Sequence, residues 1–374
     1  MTTSTEPGQE QVSRRRRIAY VALTVVWYGA GVLGLAELFL QLRWIPPSAL
    51  SYGSFGAHPV YATGPLPGAK GRHVNAEYDV GFEINRLGFR GPLPELDLPA
   101  TKPRLLVVGD SQTFGLGVDN GETFCDRLRE RLPEVDVLNA GSNGYGTREQ
   151  LAVIDHLGEA WRPDVVLLVF FWNDIEDNVK RSTPAFGVYE QGRVSRTDPH
   201  DEAFDALALR PPVEVVPRGV SGLRLPKYLK EGLRGLRYRT LGIKRRKIRT
   251  EAQKTAAFEV TRELLRLTKL RCDELGSRLV IASLPSQTQV DPSAVIRNIE
   301  PLNYEVQEQL FAICADLGVQ TVDLQPPLEA EFRRTGEPLY YFVDRHLMAS
   351  GHAIIGDVLV EALGPYLQDS PQSE

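Results

Sequence analysis

Arg104-Leu105-Leu106-Val107-Val108-Gly109-Asp110-Ser111 is the stretch that decides the fold. Its unbroken apolar run lacks the alternation of a half-exposed strand. It reads instead as a strand buried on both faces, the habit of parallel sheets. A glycine and two small polar residues then stop it, as at a strand end. Working outward, further strands are read at Val135–Leu138, Asp164–Phe171, Arg278–Ser283 and Val319–Leu324. Helical periods fall between these runs: at Glu122–Arg131, from the capping-box pattern Thr147-Arg148-Glu149-Gln150, at Thr255–Leu275 and at Tyr304–Leu317. A last helix covers Ser350–Tyr366. Strands alternating with helices predict an α/β class: a three-layer α/β/α domain around a five-stranded parallel sheet.

The 374 residues are 42% hydrophobic and 24% charged, the balance of a chain that buries a core and not of a disordered or fibrous one. The formal net charge of −5 speaks against nucleic acid as a partner. Cys125, Cys272 and Cys314 lie too far apart for a CxxC pair or a zinc spacing, and one disulfide stays open. The N-terminus carries a different signal. Arg14–Arg17 is followed by Ile18–Ala36, 19 residues without a charge. About 20 helical residues cross a bilayer core. A transmembrane helix over residues 18–42 is therefore expected, with residues 1–17 as a basic cytoplasmic tail. A cleaved signal peptide and a buried helix are the rivals. The signal peptide is disfavoured because Gln41-Leu42-Arg43-Trp44 makes a poor cleavage site. The rest of the chain would then face the periplasm or the exterior from a bacterial inner membrane.

Residues 43–100, rich in Gly and Pro, read as a linker and lead-in strands to a domain over 101–367, with 368–374 as a tail. Residues 175–250 interrupt the strand–helix rhythm as an insertion. From Arg218 to Arg249 it carries twelve Lys or Arg and one acid, Glu231. That stretch is either a solvated helical face or lid, or a contact with an anionic surface of lipid headgroups or glycan.

In an open parallel sheet, ligands bind beyond the carboxyl ends of the strands. The first strand ends in Gly109-Asp110-Ser111, the second in Asn139-Ala140-Gly141-Ser142-Asn143-Gly144, and the third in Trp172-Asn173-Asp174. Asp344-Arg345-His346 precedes the last helix. Together these form a hydrolytic set. Ser111 would be the nucleophile and His346 the base that activates it. Asp344 would orient the imidazole and stabilise its charged form. The backbone N–H groups of Ser111 and Gly144 and the amide of Asn173 would receive an oxyanion. Asp110 and Asp174 would support the nucleophile and the asparagine from behind. Taken singly, Asp110-Ser111 and Asn173-Asp174 could be ordinary strand-ending turns. The glycines at 141, 144 and 146 are spaced GxxGxG, which is not the dinucleotide fingerprint. His352 competes with His346 but has no acid just before it, so it reads as a packing residue. A metal site from these two histidines lacks further ligands. No metal and no cofactor are expected.

These residues resemble the SGNH (GDSL-type) hydrolase family, whose Ser, Gly, Asn and His map to Ser111, Gly144, Asn173 and His346. Gly144 is preferred to Gly141 because it lies about five residues past an asparagine like Asn139. Asn85-Arg86-Leu87-Gly88-Phe89-Arg90-Gly91 is similar to the lead-in of membrane-anchored bacterial members. The resemblance covers about residues 82–366 and implies a flavodoxin-like sheet. It also implies ester chemistry through an acyl-enzyme. The chain departs from the family twice. Asp344 stands two residues before the histidine, not three, as in the alginate O-acetyltransferase-like branch. That tilts the expectation toward carbohydrate O-acyl groups. Thr113 also stands where the GxSxG elbow of α/β-hydrolases has its second glycine. The implied function is a serine esterase or O-acyl (acetyl) transferase on an envelope or secreted glycan. A lysophospholipase-type lipid esterase and a catalytically silent polysaccharide-binding module are the alternatives.

Overall fold

The structure, a computed structural model, describes residues 7–42, 49–50, 55–58, 62–74, 77–94, 100–179, 186–190, 193–196, 250–292, 300–342 and 344–368. The chain divides into two compact units, Met1–Pro47 with Gly219–Leu236, and Ser48–Arg218 with Arg237–Glu374. In the first unit the described part is helix α1 (Pro7–Leu42). Its segment Arg16–Phe39 has a mean hydropathy of 1.8 and none of it is buried. Its 24 residues rise about 36 Å at ~1.5 Å each, enough to cross a hydrocarbon core of about 30 Å.

The second unit opens with short strands: β1 (Ala49–Leu50), β2 (Phe55–His58), β3 (Ala62–Pro65), β4 (Lys70–Val74) and β5 (Asp79–Glu83). They form two small antiparallel sheets, β1-β4-β5 and β2-β3. The apolar side of this lead-in, Ala69, Phe82 and Ile84, packs on Phe114, which lies just past the serine. The main sheet holds β6 (Arg104–Gly109), β7 (Asp136–Asn139) and β8 (Val165–Phe171). After a hairpin of β9 (Phe186–Glu190) and β10 (Arg193–Arg196), it gains β11 (Arg278–Leu284) and β12 (Gln320–Asp323). All pairings in this five-stranded sheet are parallel, and its order is β12-β11-β8-β6-β7. That is the flavodoxin-like winding. The order reverses between β6 and β8, the place where such sheets open a crevice.

Nine helices are described in this unit. They are α2 (Ser111–Phe114), α3 (Phe124–Arg131), α4 (Thr147–Trp161), α5 (Asp174–Asp177), α6 (Glu251–Leu275), α7 (Gln287–Val290), α8 (Glu300–Asp316), α9 (Gln325–Thr335) and α10 (Ala349–Gln368). Strand side chains alternate between two faces. Leu106, Val108, Leu168 and Ile281 join Ile154 of α4, Leu264 of α6 and Leu310 of α8. Leu105, Val107, Leu167 and Val280 join Leu128 of α3, Leu328 of α9 and Leu359 of α10. Both faces are covered, so the central strands are apolar throughout, and the layered α/β/α expectation holds.

Three details correct the sequence reading. Thr147 does not cap α4; the cap is Gly146, whose N–H donates to Glu149 Oε2 at 2.9 Å. Thr147 sits one position inside, its N–H donating to Asn178 Oδ1 at 2.8 Å. Helix α9 is an addition to the sequence reading; Pro326 and Pro327 occupy its first turn, where a missing N–H costs nothing. The three cysteines are buried and free, so the open disulfide is not formed. The basic stretch 218–249 and the tail 369–374 lie outside the described residues.

Candidate active site

Ser111 follows β6 and opens the four-residue helix α2. Asp110 caps that helix, its carboxylate accepting the N–H of Gln112 at 2.8 Å. Such a cap forces a sharp turn at the strand end and leaves Ser111 at the surface of the crevice. The far end of the turn is held from the lead-in. The Arg90 guanidinium donates to Phe114 O at 3.0 Å, to Val118 O at 2.7 Å and to Gly115 O, and lies 5.2 Å from the Phe114 ring centre. Burial lowers the Arg90 pKa to about 10, so it remains a cation at neutral pH. Below the turn, Asn139 donates to Thr113 O at 2.9 Å and accepts from Gly141 N at 3.1 Å. Gly141 must be glycine here, since a Cβ would sit 2.6 Å from Phe114 N.

The candidate base, His346, comes from the loop between α9 and α10. His346 Nε2 lies 2.8 Å from Ser111 Oγ, and its Nδ1 lies 2.8 Å from Asp344 Oδ2. Both distances are within the hydrogen-bond reach that a nucleophile–base–acid relay requires. The two-residue spacing succeeds because Arg345 adopts a left-handed backbone, φ 65°, which lets both neighbours present their side chains to one another. A non-glycine residue there costs on the order of 1 kcal/mol. Gln112, next to the nucleophile, holds this turn directly. Its amide donates to Arg345 O at 3.2 Å and accepts from Leu347 N at 3.0 Å, bracketing the histidine. Burial by itself would raise the Asp344 pKa, but hydrogen bonds from His346 and Tyr78 outweigh it and hold the carboxyl below its usual range.

The remaining expected residues sit beside the crevice. Gly144 lies in the turn after β7 at φ 76°, a conformation that favours glycine. Asn173 lies two residues past β8 at the start of α5, and its amide donates to Asp177 Oδ2 at 3.1 Å and also bonds to Asp110. To serve an oxyanion, that amide must release one of these inward bonds. Behind it, Asp174 accepts from Gln150 Nε2 and from Phe171 N, both at 3.3 Å. Burial raises Asp110 to about 6 and moves Asp174 well above the carboxylate range. His352 is in the core and not in the relay. Phe124 N donates to its Nδ1 at 3.3 Å, and burial lowers its pKa to about 3. Among the described residues, no group of three or more His, Cys, Asp or Glu is set to hold a metal ion. A cavity of about 490 Å³ near Glu83, Arg90 and Arg129 includes none of the relay residues.

Sequence reasoning missed Arg90, Gln112, Glu77 and Tyr78 as parts of the site. Arg90 stood within the quoted lead-in motif, but its partners are backbone carbonyls, which no residue pattern displays. Glu77 and Tyr78 reach Asp344 from more than 260 positions away.

No family model matches the chain, and no curated protein matches it. Among solved structures similar to it is an α/β-hydrolase enzyme from the metagenome of Lake Arreo, Spain, at 12% identity and a TM-score of 0.42, covering 71% of this chain and 96% of that one. A lipolytic protein of the G-D-S-L family from Veillonella parvula is similar at 15% identity and a TM-score of 0.40, over 70% of this chain and 98% of that one. A catalytic mutant of an acetylxylan esterase from Geobacillus stearothermophilus is similar at 16% identity and a TM-score of 0.39, over 70% and 94% of the respective chains. What this site does is read from its own geometry.

Proposed function

We propose that this chain is a serine-dependent esterase or O-acyl transferase that works through an acyl-enzyme. One observation carries the reading: Ser111, His346 and Asp344 form a continuous relay at 2.8 Å per step, at the carboxyl end of a parallel sheet. His346 takes the Ser111 proton as Oγ attacks the ester carbonyl. Asp344 holds the Nδ1–H tautomer and stabilises the imidazolium. The N–H groups of Ser111 and Gly144, with the Asn173 amide, receive the developing oxyanion. His346 then protonates the leaving alcohol. Water or a sugar hydroxyl, deprotonated by the same imidazole, releases the acyl group.

For the substrate we favour O-acyl groups of an envelope or secreted glycan. Support comes from the Asp-x-His spacing and from the partly exposed relay, whose His346 and Asp344 side chains are 17% and 27% accessible. A lipid ester is the second reading, favoured by the apolar helix Arg16–Phe39. That helix also supports a single span, with the Arg14–Arg17 end in the cytoplasm and the esterase unit outside. Alkaline phosphatase fused to the C-terminus should then be active in cells, and an inactive fusion would overturn the topology.

The test of function uses the full chain in detergent. It should hydrolyse p-nitrophenyl acetate, and Ser111→Ala should abolish turnover; wild-type turnover in that variant would refute the reading. Rates on an acetylated polysaccharide and on a lysophospholipid then decide between the two substrates.

A further inference from the structure

We propose that Tyr78, from the lead-in sheet, is a positioning residue for the relay: its hydroxyl holds Asp344 in the rotamer that meets His346. The inference rests on the serine-esterase reading. Tyr78 immediately precedes β5, and its hydroxyl donates to Asp344 Oδ2 at 2.6 Å. The same oxygen receives His346 Nδ1 at 2.8 Å. An O–H···O⁻ distance of about 2.5–2.7 Å is that of a charge-assisted bond. Two donors converging on one oxygen restrict the carboxylate's rotation and so fix the plane in which the imidazole lies.

Other contacts show that this meeting is built. Glu77 accepts the backbone N–H of Asp344 at 2.8 Å, so adjacent lead-in residues hold the same acid by main chain and side chain. The Tyr78 ring packs on Tyr341, with centroids 4.7 Å apart. The Tyr341 hydroxyl donates to Gly117 O at 2.9 Å, which ties the pair to the loop after the serine turn. The phenol cannot lose its proton in any working range, because burial and the facing charges of Asp344 and Glu77 push its pKa far up. The groups facing Asp344 are His346, Tyr78, Glu77 and, farther off, His73. Asp344 needs the constraint because it follows no regular element and precedes the left-handed Arg345.

The experiment compares the full chain with Tyr78→Phe, using p-nitrophenyl acetate in detergent. Phenylalanine keeps the ring on Tyr341 and removes the donor. A lost hydrogen bond to a charged group of about 1.4 kcal/mol corresponds to tenfold in rate. We expect kcat to fall about tenfold, with KM changed less than about twofold and Tm unmoved. A wild-type kcat, or a loss of kcat matched by an equal rise in KM or by a fall in Tm, overturns the role of Tyr78. Activity retained in Ser111→Ala would instead bring down the esterase reading itself; a dead Ser111→Ala beside a fully active Tyr78→Phe removes only this inference.

Discussion

The serine turn and the histidine loop meet across 2.8 Å, yet they are held in opposite ways. The serine turn is anchored in the core. Gln112, Thr113 and Phe114 are buried, Arg90 fills its carbonyls, and Gly141 lies against its backbone. The histidine loop is partly exposed and hangs on side chains from elsewhere: Gln112 on one side, Glu77 and Tyr78 on the other. A nucleophile must stay fixed, whereas a base must shift slightly as its proton moves between oxygens. The difference teaches that damage to the anchors of the first region, Arg90 and Gly141, should show as lost folding, and damage to the second as lost rate.

The sharpest way to break this comparison is at the base. His346→Ala should lower kcat by about 10⁴-fold or more, with an unchanged melting temperature, because Ser111 then remains a neutral hydroxyl. Thermal melts and ester turnover on the same preparation check both halves. If His352→Ala is dead and His346→Ala active, the base has been assigned to the wrong histidine.

Next in size is the anchor. Arg90→Met leaves several buried carbonyls without a donor and should cost about 3 kcal/mol of stability in urea unfolding. An unaltered unfolding midpoint would mean that the serine turn stands without its clamp. Gln112→Leu should be intermediate: it leaves the buried Leu347 N–H without its acceptor and costs about 1–2 kcal/mol, while kcat drops roughly tenfold because the histidine loop loses both brackets. A large stability loss with normal turnover per folded molecule would erase the distinction between the two regions.

A further test concerns pH and the core histidine. His352 is buried and held neutral down to about pH 3, whereas an unfolded histidine titrates near 6.5. The unfolded chain therefore binds an extra proton between those values. The stability this site contributes is complete above about 6.5 and drains away as the pH falls toward 3. His352→Leu should flatten the acid-side loss by up to about 1.4 kcal/mol per pH unit. His73, also lowered to about 3 by burial, acts in the same direction, while Asp110, raised to about 6, opposes both. Only the difference between variant and parent, followed by urea melts at pH 4, 5 and 6, isolates His352; parallel curves would refute the buried-neutral assignment.

Legibility followed physics. The central strands β6, β8 and β11 were readable because each is an apolar run buried over nearly its whole length, whereas the edge strand β12 carries polar residues and stays partly exposed. Ser111, Asn173 and the Asp344–His346 pair were readable because a parallel sheet gathers its strand ends in one place. The grip on those residues was not. Arg90 binds carbonyls, which every residue possesses, and the partners of Gln112 are backbone atoms 233 to 235 positions away. Tyr78 looked like any aromatic at a strand start.

The placement of Arg90 bears on recombination between related chains. A crossover at the start of β6 would look safe, since the whole parallel sheet and the entire nucleophile–base–acid set lie beyond it. Such a chimaera would nevertheless inherit its guanidinium clamp, and the hydroxyl on Asp344, from a different parent. Exchange that preserves activity should therefore break upstream of residue 77, well outside the layer that defines the architecture, so that the unit of inheritance is larger than the unit of fold.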